Sequence, residues 1–432
     1  MSTYKCRAST ELISRDAFPS NCCAVFNRGG GLGPSKVCVV PAAGNSSIDD
    51  TPAVLKAFDQ CGHGGKILFQ NTTYHINSVM NTTGLENCEI DLRGTLLWST
   101  NVSYWLNHSL PVGYQNQSTA WVFGGKNIRF DGHGYGTLNG NGQTWYDACG
   151  SVSNYPGRPH AMTVAETSNS EFTGLRFVQS QMWTLSIIHS QNTVFDHIYV
   201  NSTSTHSSSR NTDGADTIYS SHITFRNWEV DNGDDSISLK ANSTDILIED
   251  CLFHRGLGIA LGSIGQYKDV YETIQRVQAR NITFSGTLHA VYFKTWTGEQ
   301  VNYPPNGGGG GLGYASDMIF QDLKATALRG PAIAISQCTT FSGAAGNCTS
   351  SKFQLRDLTF RDLTGTTTSH DVASLQCSGV KPCENISITG VDLAVSSNGT
   401  LADEYLCGNV EGTRGFKCTG DVCVGGSATG GC

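Results

Sequence analysis

Residues 211–240 read "NTDGADTIYSSHITFRNWEVDNGDDSISLK" and join a strand pattern to a group of acids. The run "SHITFRNWEVDN", residues 221–232, alternates apolar with polar residues and favours β-branched and aromatic types, which predicts a strand with one buried face. Only 15% of the chain is charged, so the gathering of acids in one short segment is unusual. The five acids are Asp213, Asp216, Asp231, Asp234 and Asp235.

The same strand pattern recurs through the middle of the chain. Matching apolar positions are Phe172, Val194, Ile223 and Ile246. A period of about 20 to 30 residues with variable insertions predicts a parallel β-solenoid, whereas propeller blades need about 40 to 50 residues each. Further runs of this type are "SEFTGLRFVQS", "NTVFDHIYVNS", "TDILIEDCLFHR", "RNITFSG", "SDMIFQDLKA" and "SKFQLRDLTFRDL".

A helix is predicted near the N-terminus, in "SSIDDTPAVLKAFDQCG" at residues 46–62. Asp50 or Thr51 is suited to the N-cap, Pro52 to the first turn and Gly62 to the end of the helix. We interpret it as a cap that covers the exposed end of an all-β solenoid. The chain is predicted to be one domain: a segment with the capping helix at 1–65, coils at 66–370 and a cysteine-rich segment at 371–432.

The charge balance and the cysteines limit the class of protein. Lys and Arg number 28 and Asp and Glu 36, a net charge of −8, which argues against a nucleic-acid partner. The chain has no apolar run of about 18 residues, so no membrane span is predicted. Sixteen cysteines and a dozen Asn-x-Ser/Thr sites indicate a secreted glycoprotein. The glycosylation sites are Asn45, Asn71, Asn81, Asn101, Asn107, Asn116, Asn201, Asn242, Asn281, Asn347, Asn385 and Asn398.

Two details refine this expectation of secretion. The opening "MSTYKCRAST" lacks an apolar core, so we expect that a signal peptide was removed and that Met1 was added for expression. Cys251 lies in a strand-like run and is expected to be either paired or a buried apolar residue. The cysteines expected to close short disulfide loops are Cys377, Cys383, Cys407, Cys418, Cys423 and Cys432.

The repeat spacing predicts that several acids lie close together. Residues one period apart occupy adjacent coils about 4.8 Å apart. Asp213, Asp235 and Leu257 are evenly spaced by one such period and are therefore expected to form one column. We expect a bend at Gly233 that turns Asp234 and Asp235 toward solvent beside Asp213. Clustered carboxylates raise at least one pKa, which supplies a general acid and a general base. The alternatives are that the acids form turns or bind Ca²⁺.

Four motifs resemble the polygalacturonase family of glycoside hydrolases, family 28. They are "NTDG" at 211–214, "GDD" at 233–235, "GLGIALGS" at 256–263 and "YFK" at 292–294. The resemblance extends from the capping helix to about residue 370 and implies a right-handed parallel β-helix that hydrolyses pectin with inversion. It implies that Asp234 is the general acid and that Asp213 and Asp235 hold and deprotonate the attacking water. Inversion requires an acid and a base roughly 6.5 to 9.5 Å apart.

Two departures from the family pattern bear on the substrate. Leu257 stands where the family has His, and Tyr292 stands where it has Arg, while Lys294 remains. In the family that Arg and Lys hold a galacturonate carboxylate, so Tyr292 is expected to offer an aromatic face to a neutral sugar such as rhamnose. The resemblance implies an exo-acting enzyme that releases galacturonic acid from the non-reducing end of rhamnogalacturonan or homogalacturonan. Alternatives are an endo-acting hydrolase, a Ca²⁺-dependent eliminase that uses Arg255 and Lys240, and a non-catalytic binding solenoid.

The remaining expectations concern substrate contacts and partners. The glycine-rich loop at 301–316 is expected to close one end of a cleft. No cofactor and no metal ion are expected, and the only partner predicted for this monomer is a pectic polysaccharide or oligosaccharide. The predicted substrate-binding residues are Asn211, Asp216, Gln266, Tyr292, Lys294 and Trp296.

Overall fold

The fold is a right-handed parallel β-helix, as predicted from the repeat and the resemblance. The structure is a computed structural model that describes residues 36–150, 152–299, 309–340 and 346–422. In this part of the chain, 31 strands belong to one sheet, in which strands pair in parallel with strands of adjacent coils. A second, smaller sheet has three strands. No helix in these ranges combines the length and apolar character needed to cross a membrane.

The elements fall in the following order along the chain. The helices are α1 (Thr51–Cys61), α2 (Val102–His108) and α3 (Gly142–Cys149). The strands before residue 202 are β1 (Val37–Val40), β2 (Lys66–Phe69), β3 (Thr73–Ile76), β4 (Met80–Glu86), β5 (Glu89–Leu92), β6 (Thr95–Trp98), β7 (Leu110–Pro111), β8 (Ser118–Thr119), β9 (Trp121–Lys126), β10 (Arg129–Asp131), β11 (Thr137–Asn139), β12 (Pro159–His160), β13 (Met162–Ala165), β14 (Ser168–Thr173), β15 (Arg176–Val178), β16 (Leu185–Ile188), β17 (Gln191–Asp196) and β18 (Tyr199–Asn201). The later strands are β19 (Ala215–Ile218), β20 (Ser221–Arg226), β21 (Glu229–Asp231), β22 (Asp235–Leu239), β23 (Ser243–His254), β24 (Gly258–Ile264), β25 (Glu272–Ser285), β26 (Val291–Trp296), β27 (Leu312–Leu328), β28 (Ile333–Thr339), β29 (Lys352–Thr367), β30 (Asp371–Gln376), β31 (Cys383–Val395), β32 (Glu404–Gly408), β33 (Val410–Glu411) and β34 (Gly420–Asp421).

The strand register corrects two of the predicted repeat steps. Phe172 pairs with Phe195 rather than with its predicted partner Val194, and Phe195 in turn pairs with Phe225. The predicted step from Ile223 to Ile246 is confirmed. Stacked rings join Phe172 to Phe195 at 4.7 Å between centroids and Phe195 to Phe225 at 5.9 Å. A slip of one residue would turn these rings away from the core, so the ring column fixes the register.

The predicted capping helix is present as α1 and covers the first coils. Phe58 is buried and its ring contacts Trp121 and Phe123 edge-on at 6.1 and 6.3 Å. Asp50 occupies the N-cap position, but its side chain makes no capping hydrogen bond. Its carboxylate instead accepts hydrogen bonds from the backbone N–H groups of Ala43 and His75, at 2.7 and 2.8 Å. Asp50 therefore joins the helix to neighbouring loops, which corrects the predicted capping role.

Four disulfides are formed in the described part of the chain. Cys38–Cys61 ties α1 to β1, and Cys338–Cys348 closes a loop after β28. Two of the predicted C-terminal loops are confirmed by Cys377–Cys383 and Cys407–Cys418, whereas Cys423 and Cys432 lie outside the described residues. Buried free thiols are present at Cys88, Cys149 and Cys251. Of the two expectations for Cys251, the structure supports the buried apolar residue.

A buried carboxylate, Asp91, joins three turns at the N-terminal end of the solenoid. Its oxygens lie 2.7 Å from Lys66 Nζ, 2.9 Å from Arg93 Nε and 2.8 Å from His133 Nε2. Burial alone would raise the pKa of Asp91, but these cationic and hydrogen-bonding partners lower it below its ordinary value. The charged form of Asp91 is therefore stabilised in the folded chain.

Asp91→Asn is expected to destabilise the fold by about 1 to 3 kcal/mol at pH 6, because Asn cannot satisfy three partners that Asp91 holds with its charge. The pKa of Asp91 is lower in the folded than in the unfolded chain, so its stabilisation is complete above the unfolded value of 3.8 and is lost as pH falls through the folded value. Urea unfolding at pH 6 and pH 3 measures both effects.

The matched control is Asp357→Asn, a half-buried carboxylate in a distant coil whose partner Arg356 lies 2.8 Å away near the surface. This variant is expected to lose less than about 1 kcal/mol. Equal losses in the two variants at pH 6, or a loss in Asp91→Asn that grows on acidification, would contradict the assigned role of Asp91.

Candidate active site

The three predicted catalytic aspartates lie in turns that lead into two neighbouring strands of the same sheet. Asp213 precedes β19, and Asp234 and Asp235 stand at the start of β22. The predicted step from Asp213 to Asp235 is confirmed, because Asp216 pairs with Ser238 and the N–H of Gly214 donates to Asp235 O at 3.0 Å. The following step is one residue longer, since a register shift in β22 pairs Asp235 with Gly258. The predicted position of Leu257 in this column is therefore wrong by one residue.

The carboxyl groups converge more closely than predicted, and two of them are buried. One oxygen from each of Asp213, Asp234 and Asp235 lies within 4.8 Å of the others. Asp213 is 3% exposed and Asp235 is 0% exposed, while Asp234 is half-buried. The prediction that all three face solvent is thus wrong for Asp213 and Asp235. Gly233 contributes by close approach, because a Cβ there would lie 2.3 Å from Ser209 Oγ.

Asp235 is compensated by two side chains from a strand two coils away. Tyr292 donates its hydroxyl hydrogen bond to Asp235 Oδ1, and Lys294 Nζ lies 2.9 Å from Asp235 Oδ2. Burial by itself lowers the pKa of Lys294, but the Asp235 carboxylate raises it above its ordinary value, so the ammonium group is charged. Both oxygens of Asp235 are therefore held in fixed positions.

The intervening coil explains why Tyr292 reaches so far. Ser238 pairs with Ala260 and Ala260 with Tyr292, so a small side chain separates the phenol from the acids. Tyr292 is 0% exposed, and Trp296 is 6% exposed. Both rings are packed into the protein, so the aromatic face expected of Tyr292 is not open to a sugar, and Trp296 is a core residue.

Asp234 is the most accessible of the three acids, so its carboxyl is the one best placed to contact a substrate. Its Oδ2 accepts a hydrogen bond from the Asn211 N–H at 2.9 Å, and its Oδ1 accepts one from the Asp235 N–H at 3.0 Å. Burial and then the Asp235 charge raise the pKa of Asp234. Burial, followed by the charge of Asp234, also raises the pKa of Asp213 well above its ordinary value. The group as a whole therefore keeps a proton at a pH where isolated carboxyls are ionised.

The other predicted contact residues surround this group in different ways. Asn211 adopts a left-handed backbone conformation, which Asn tolerates, and its side chain accepts from the Asn154 N–H at 2.8 Å. Asp216 is fully buried and lies 3.2 Å from Lys240 Nζ; burial raises the pKa of Asp216 to about 7. Gln266 is also buried and accepts a 2.6 Å hydrogen bond from Gln115 Nε2. These three residues thus already contact protein groups.

Four site residues escaped the sequence analysis. Continuing the register backward from Asp213 through the pairing of β16 with β19 leads to Trp183, and the pairing of β13 with β16 then leads to His160. The same steps from Asn211 lead to Gln181 and Arg158. His160 and Trp183 therefore extend the column that contains Asp213 and Asp235. The signal for them lies in the strand register, whose steps of 30 and 23 residues no single repeat length predicts.

A hairpin of β7 and β8 covers the outer face of the sheet beside the acids. Tyr114 in its turn is buried and contacts Tyr219 and Tyr267 edge-on, with ring centroids 6.1 and 6.5 Å apart. Gln115 makes a hydrogen bond to Gln266, which lies far away in the sequence. The hairpin therefore forms one wall beside the acids. Residues 301–308 of the glycine-rich loop predicted for this role lie outside the described residues.

The acid group also has the distances of a cation site. Among the described residues it is the one set of at least three potential ligand side chains with oxygens this close together. Carboxylate oxygens are the ligands that Ca²⁺ prefers. The Lys294 ammonium already supplies positive charge at Asp235, however, and the half-buried Asp234 makes its hydrogen bonds to main-chain N–H groups. The arrangement is therefore suited to acid–base chemistry through its own residues.

Tyr292→Phe is expected to lower kcat on a glycoside substrate about 10- to 100-fold, since it removes a hydrogen bond to a charged group and frees the Asp235 carboxylate to move. The measurement is initial-rate kinetics with thermal unfolding in parallel. Tyr74→Phe is the matched control, because Tyr74 is equally buried and its hydroxyl donates to Val40 O at 3.1 Å far from the acids. Wild-type kcat in Tyr292→Phe, or an equal loss in both variants, would contradict the role of Tyr292.

Comparisons with known proteins place this site in a family. Residues 73–418 match the family model described as "Glycosyl hydrolases family 28". The chain is 66% identical over 397 residues to "Alpha-L-rhamnosidase rgxB" of Aspergillus niger, covering 92% of each chain. It is 31% identical over 393 residues to "Exopolygalacturonase" of Cochliobolus carbonum, covering 89% of this chain and 86% of that one.

A solved structure agrees with these sequence comparisons. The endo-xylogalacturonan hydrolase of Aspergillus tubingensis superposes with a TM-score of 0.74 at 26% identity, covering 90% of this chain and all of that one. The fold, the family match and the grouped carboxyls are consistent with hydrolysis rather than with elimination or binding alone. The chain therefore belongs to glycosyl hydrolase family 28 and is a glycoside hydrolase.

Proposed function

We propose that the protein is an exo-acting hydrolase of pectic glycans that removes a terminal α-L-rhamnosyl residue by single displacement. The observation that carries this proposal is the set of three converging carboxyls, in which the half-buried Asp234 adjoins the rigidly held Asp235. The relative that is 66% identical is named an alpha-L-rhamnosidase, which supports rhamnose as the released sugar. Release of galacturonic acid, the expectation from the sequence, is the second candidate.

Each acid has a defined part in the proposed reaction. Asp234 gives its proton to the glycosidic oxygen as the bond from that oxygen to the anomeric carbon breaks. Water attacks the anomeric carbon and passes one proton to the carboxylates of Asp213 and Asp235. Asp213 Oδ1 is buried without a hydrogen-bond partner among the described residues, so it is available to orient this water. The Asp213–Asp235 pair then releases that proton to solvent and Asp234 takes one from solvent, so every group returns to its starting state.

The close spacing of the acids bears on the stereochemistry. One oxygen from each acid lies within 4.8 Å of the other two, which is closer than the roughly 6.5 to 9.5 Å expected for inversion and also closer than the roughly 5 to 5.5 Å expected for retention. Retention, however, requires a carboxylate that is free to attack the sugar. Both oxygens of Asp235 are engaged by Tyr292 and Lys294, which makes Asp235 a poor nucleophile. Asp213 has an oxygen without a partner among the described residues but is only 3% exposed, so a water molecule reaches it more readily than a sugar carbon does, and inversion remains the proposal.

The charges around the acids favour a neutral sugar. Four buried or half-buried carboxyls, those of Asp213, Asp216, Asp234 and Asp235, lie together. Lys240 lies 3.2 Å from the Asp216 carboxyl and Lys294 lies 2.9 Å from the Asp235 carboxyl. A galacturonate carboxylate entering this group would be repelled by the acids and would compete with them for the lysines. Rhamnose carries no charge and avoids that cost.

One observation favours the second candidate, release of galacturonic acid. Arg158 is 1% exposed, and its Nη2 has no hydrogen-bond partner among the described residues. A buried guanidinium with a free N–H group is well suited to hold a sugar carboxylate. The Cochliobolus carbonum relative is named an exopolygalacturonase, which agrees with this candidate.

The proposal also includes exo action, secretion and a monomeric state. The β7–β8 hairpin, fastened by the Gln115–Gln266 hydrogen bond, would stop a long chain from passing through the site. Four disulfides support secretion, and eleven of the twelve Asn-x-Ser/Thr asparagines are exposed, Asn201 being half-buried. We propose a secreted monomer. Light scattering would measure its oligomeric state. The mass shift on enzymatic deglycosylation of protein from its native host would measure the glycans that secretion adds.

Product analysis on defined oligosaccharides tests the proposed reaction. Purified enzyme is expected to release rhamnose from a rhamnose-terminated rhamnogalacturonan oligomer faster than galacturonic acid from oligogalacturonate. Proton NMR at early times is expected to show the anomer opposite to that of the substrate. Release of internal fragments, faster release of galacturonic acid, or the retained anomer would each overturn the corresponding part of the proposal.

Asp234→Asn is expected to lower kcat about 100- to 10,000-fold, because the amide cannot donate the acid proton. The matched control is Asp231→Asn in the same segment, where the carboxylate pairs with the exposed Arg255. This control is expected to keep kcat within about twofold of the wild type. An active Asp234→Asn enzyme would refute the assignment of the general acid.

A further inference from the structure

Among the buried polar atoms that lack a hydrogen-bond partner in the described residues, five lie at the positions that continue the columns of Asn211 and Asp213. They belong to four side chains that are between 0% and 4% exposed. Leaving one such group unsatisfied costs about 1 to 3 kcal/mol, and native proteins leave few of them. Their concentration in one place therefore requires an explanation. The atoms are Arg158 Nη2, His160 Nε2, Gln181 Nε2, Gln181 Oε1 and Trp183 Nε1.

The four side chains form a continuous group, here called the polar recess. Arg158 Nε donates to Gln181 O at 2.5 Å. The His160 and Trp183 rings stack at 4.4 Å between centroids, and His160 Nδ1 lies 2.6 Å from Ser186 Oγ. Each side chain keeps at least one polar atom unused in this packed setting. Such fixed, unused groups are typical of a prepared binding site.

The polar recess adjoins the catalytic acids directly. The Thr184 N–H donates to Asp213 O at 2.8 Å, which places Trp183 one coil before Asp213 in the same column. Lys240 Nζ lies 4.6 Å from the centre of the Trp183 ring. Asp213 Oδ1 is a further buried atom without a partner among the described residues. A sugar seated in the polar recess would therefore lie within one coil spacing of the acids.

The chemistry of the unused atoms matches a polyol. Arg158 Nη2 and Trp183 Nε1 donate only, Gln181 both donates and accepts, and His160 is neutral because burial and the nearby cations lower its pKa to about 3. Sugar hydroxyls donate and accept, so neighbouring hydroxyls on one ring can satisfy the whole set. A purely apolar ligand would leave every one of these atoms unpaired.

We propose that Arg158, His160, Gln181 and Trp183 bind the hydroxyl groups of the sugar that is released, and so fix its anomeric carbon against Asp213 and Asp234. This inference rests on the proposed exo-acting function and adds the residues that recognise the terminal sugar. They are binding and positioning residues, since proton transfer is assigned to the aspartates.

Trp183→Phe tests the proposal, because it removes the indole N–H and keeps an aromatic ring. The substrates are an aryl α-L-rhamnoside and its 2-, 3- and 4-deoxy analogues. The variant is expected to lower kcat/KM on the full rhamnoside about 3- to 12-fold, the value of one buried neutral hydrogen bond. On the one analogue that lacks the partner hydroxyl, the variant and the wild type are expected to agree within about twofold.

Two further variants guard against a purely structural effect. Trp228→Phe is the matched control, because the Trp228 Nε1 donates to Phe195 O at 2.9 Å inside the core. It is expected to lower the melting temperature while kcat/KM stays within twofold on every substrate. Gln181→Met keeps the side-chain size and removes both polar atoms, so it tests the polar recess independently if Trp183→Phe does not fold.

The outcomes separate this inference from the proposed function. If the wild type releases no sugar from rhamnosides, the rhamnosidase proposal fails, and the polar recess is tested by calorimetric binding of free rhamnose and galacturonate to the wild type and to Gln181→Met. Weaker binding of either sugar by Gln181→Met then supports the recess. Wild-type kcat/KM in both recess variants, or equal losses on all four rhamnosides, overturns the proposal, as does unchanged sugar affinity.

Discussion

The main-chain hydrogen bonding between successive parallel coils is the constraint on which the site depends. Each coil adds about 4.8 Å along the axis, so side chains far apart in sequence become neighbours only if the register is kept. Stacked phenylalanine rings inside the solenoid hold that register, because a shift by one residue would expose them. The geometry of the acids outside is therefore determined by the packing of apolar side chains inside.

Burial of charge is the second organising principle of this molecule. Burying a carboxylate without partners costs several kcal/mol of folding free energy, by order of magnitude. Asp235 avoids this cost because Tyr292 and Lys294, from another coil, donate hydrogen bonds to it. Asp91 uses the same device at the N-terminal end, with three partners from separate turns. At Asp91 the result is a stabilised charge. At the acid group, the crowding of carboxyls leaves a proton available for chemistry.

The sequence predicted the fold, the capping helix and the grouping of Asp213, Asp234 and Asp235, because these follow from a repeat that local patterns reveal. It did not predict the burial of Tyr292, since burial depends on what covers a face rather than on the residue's own strand. The side chains of Arg158 and Gln181 were missed for a related reason. Neither lies in a recognised motif, and only the register, whose steps differ in length from coil to coil, brings them beside Asn211. The bulge in β22 likewise has no local sequence signature.

The reach of Tyr292 and Lys294 across the coil that contains Ala260 has a consequence for how such a chain can change during evolution. A solenoid can lengthen by duplicating a whole coil, because each coil contacts only its neighbours. Duplication beyond β28 would leave the acids and their partners undisturbed. An extra coil inserted between β22 and β26 would move Lys294 and Tyr292 about 4.8 Å farther from Asp235. The buried Asp235 carboxylate would then lose both of its partners. The axial length of this short interval is thus fixed by the need to neutralise Asp235, while coils can be added beyond β28.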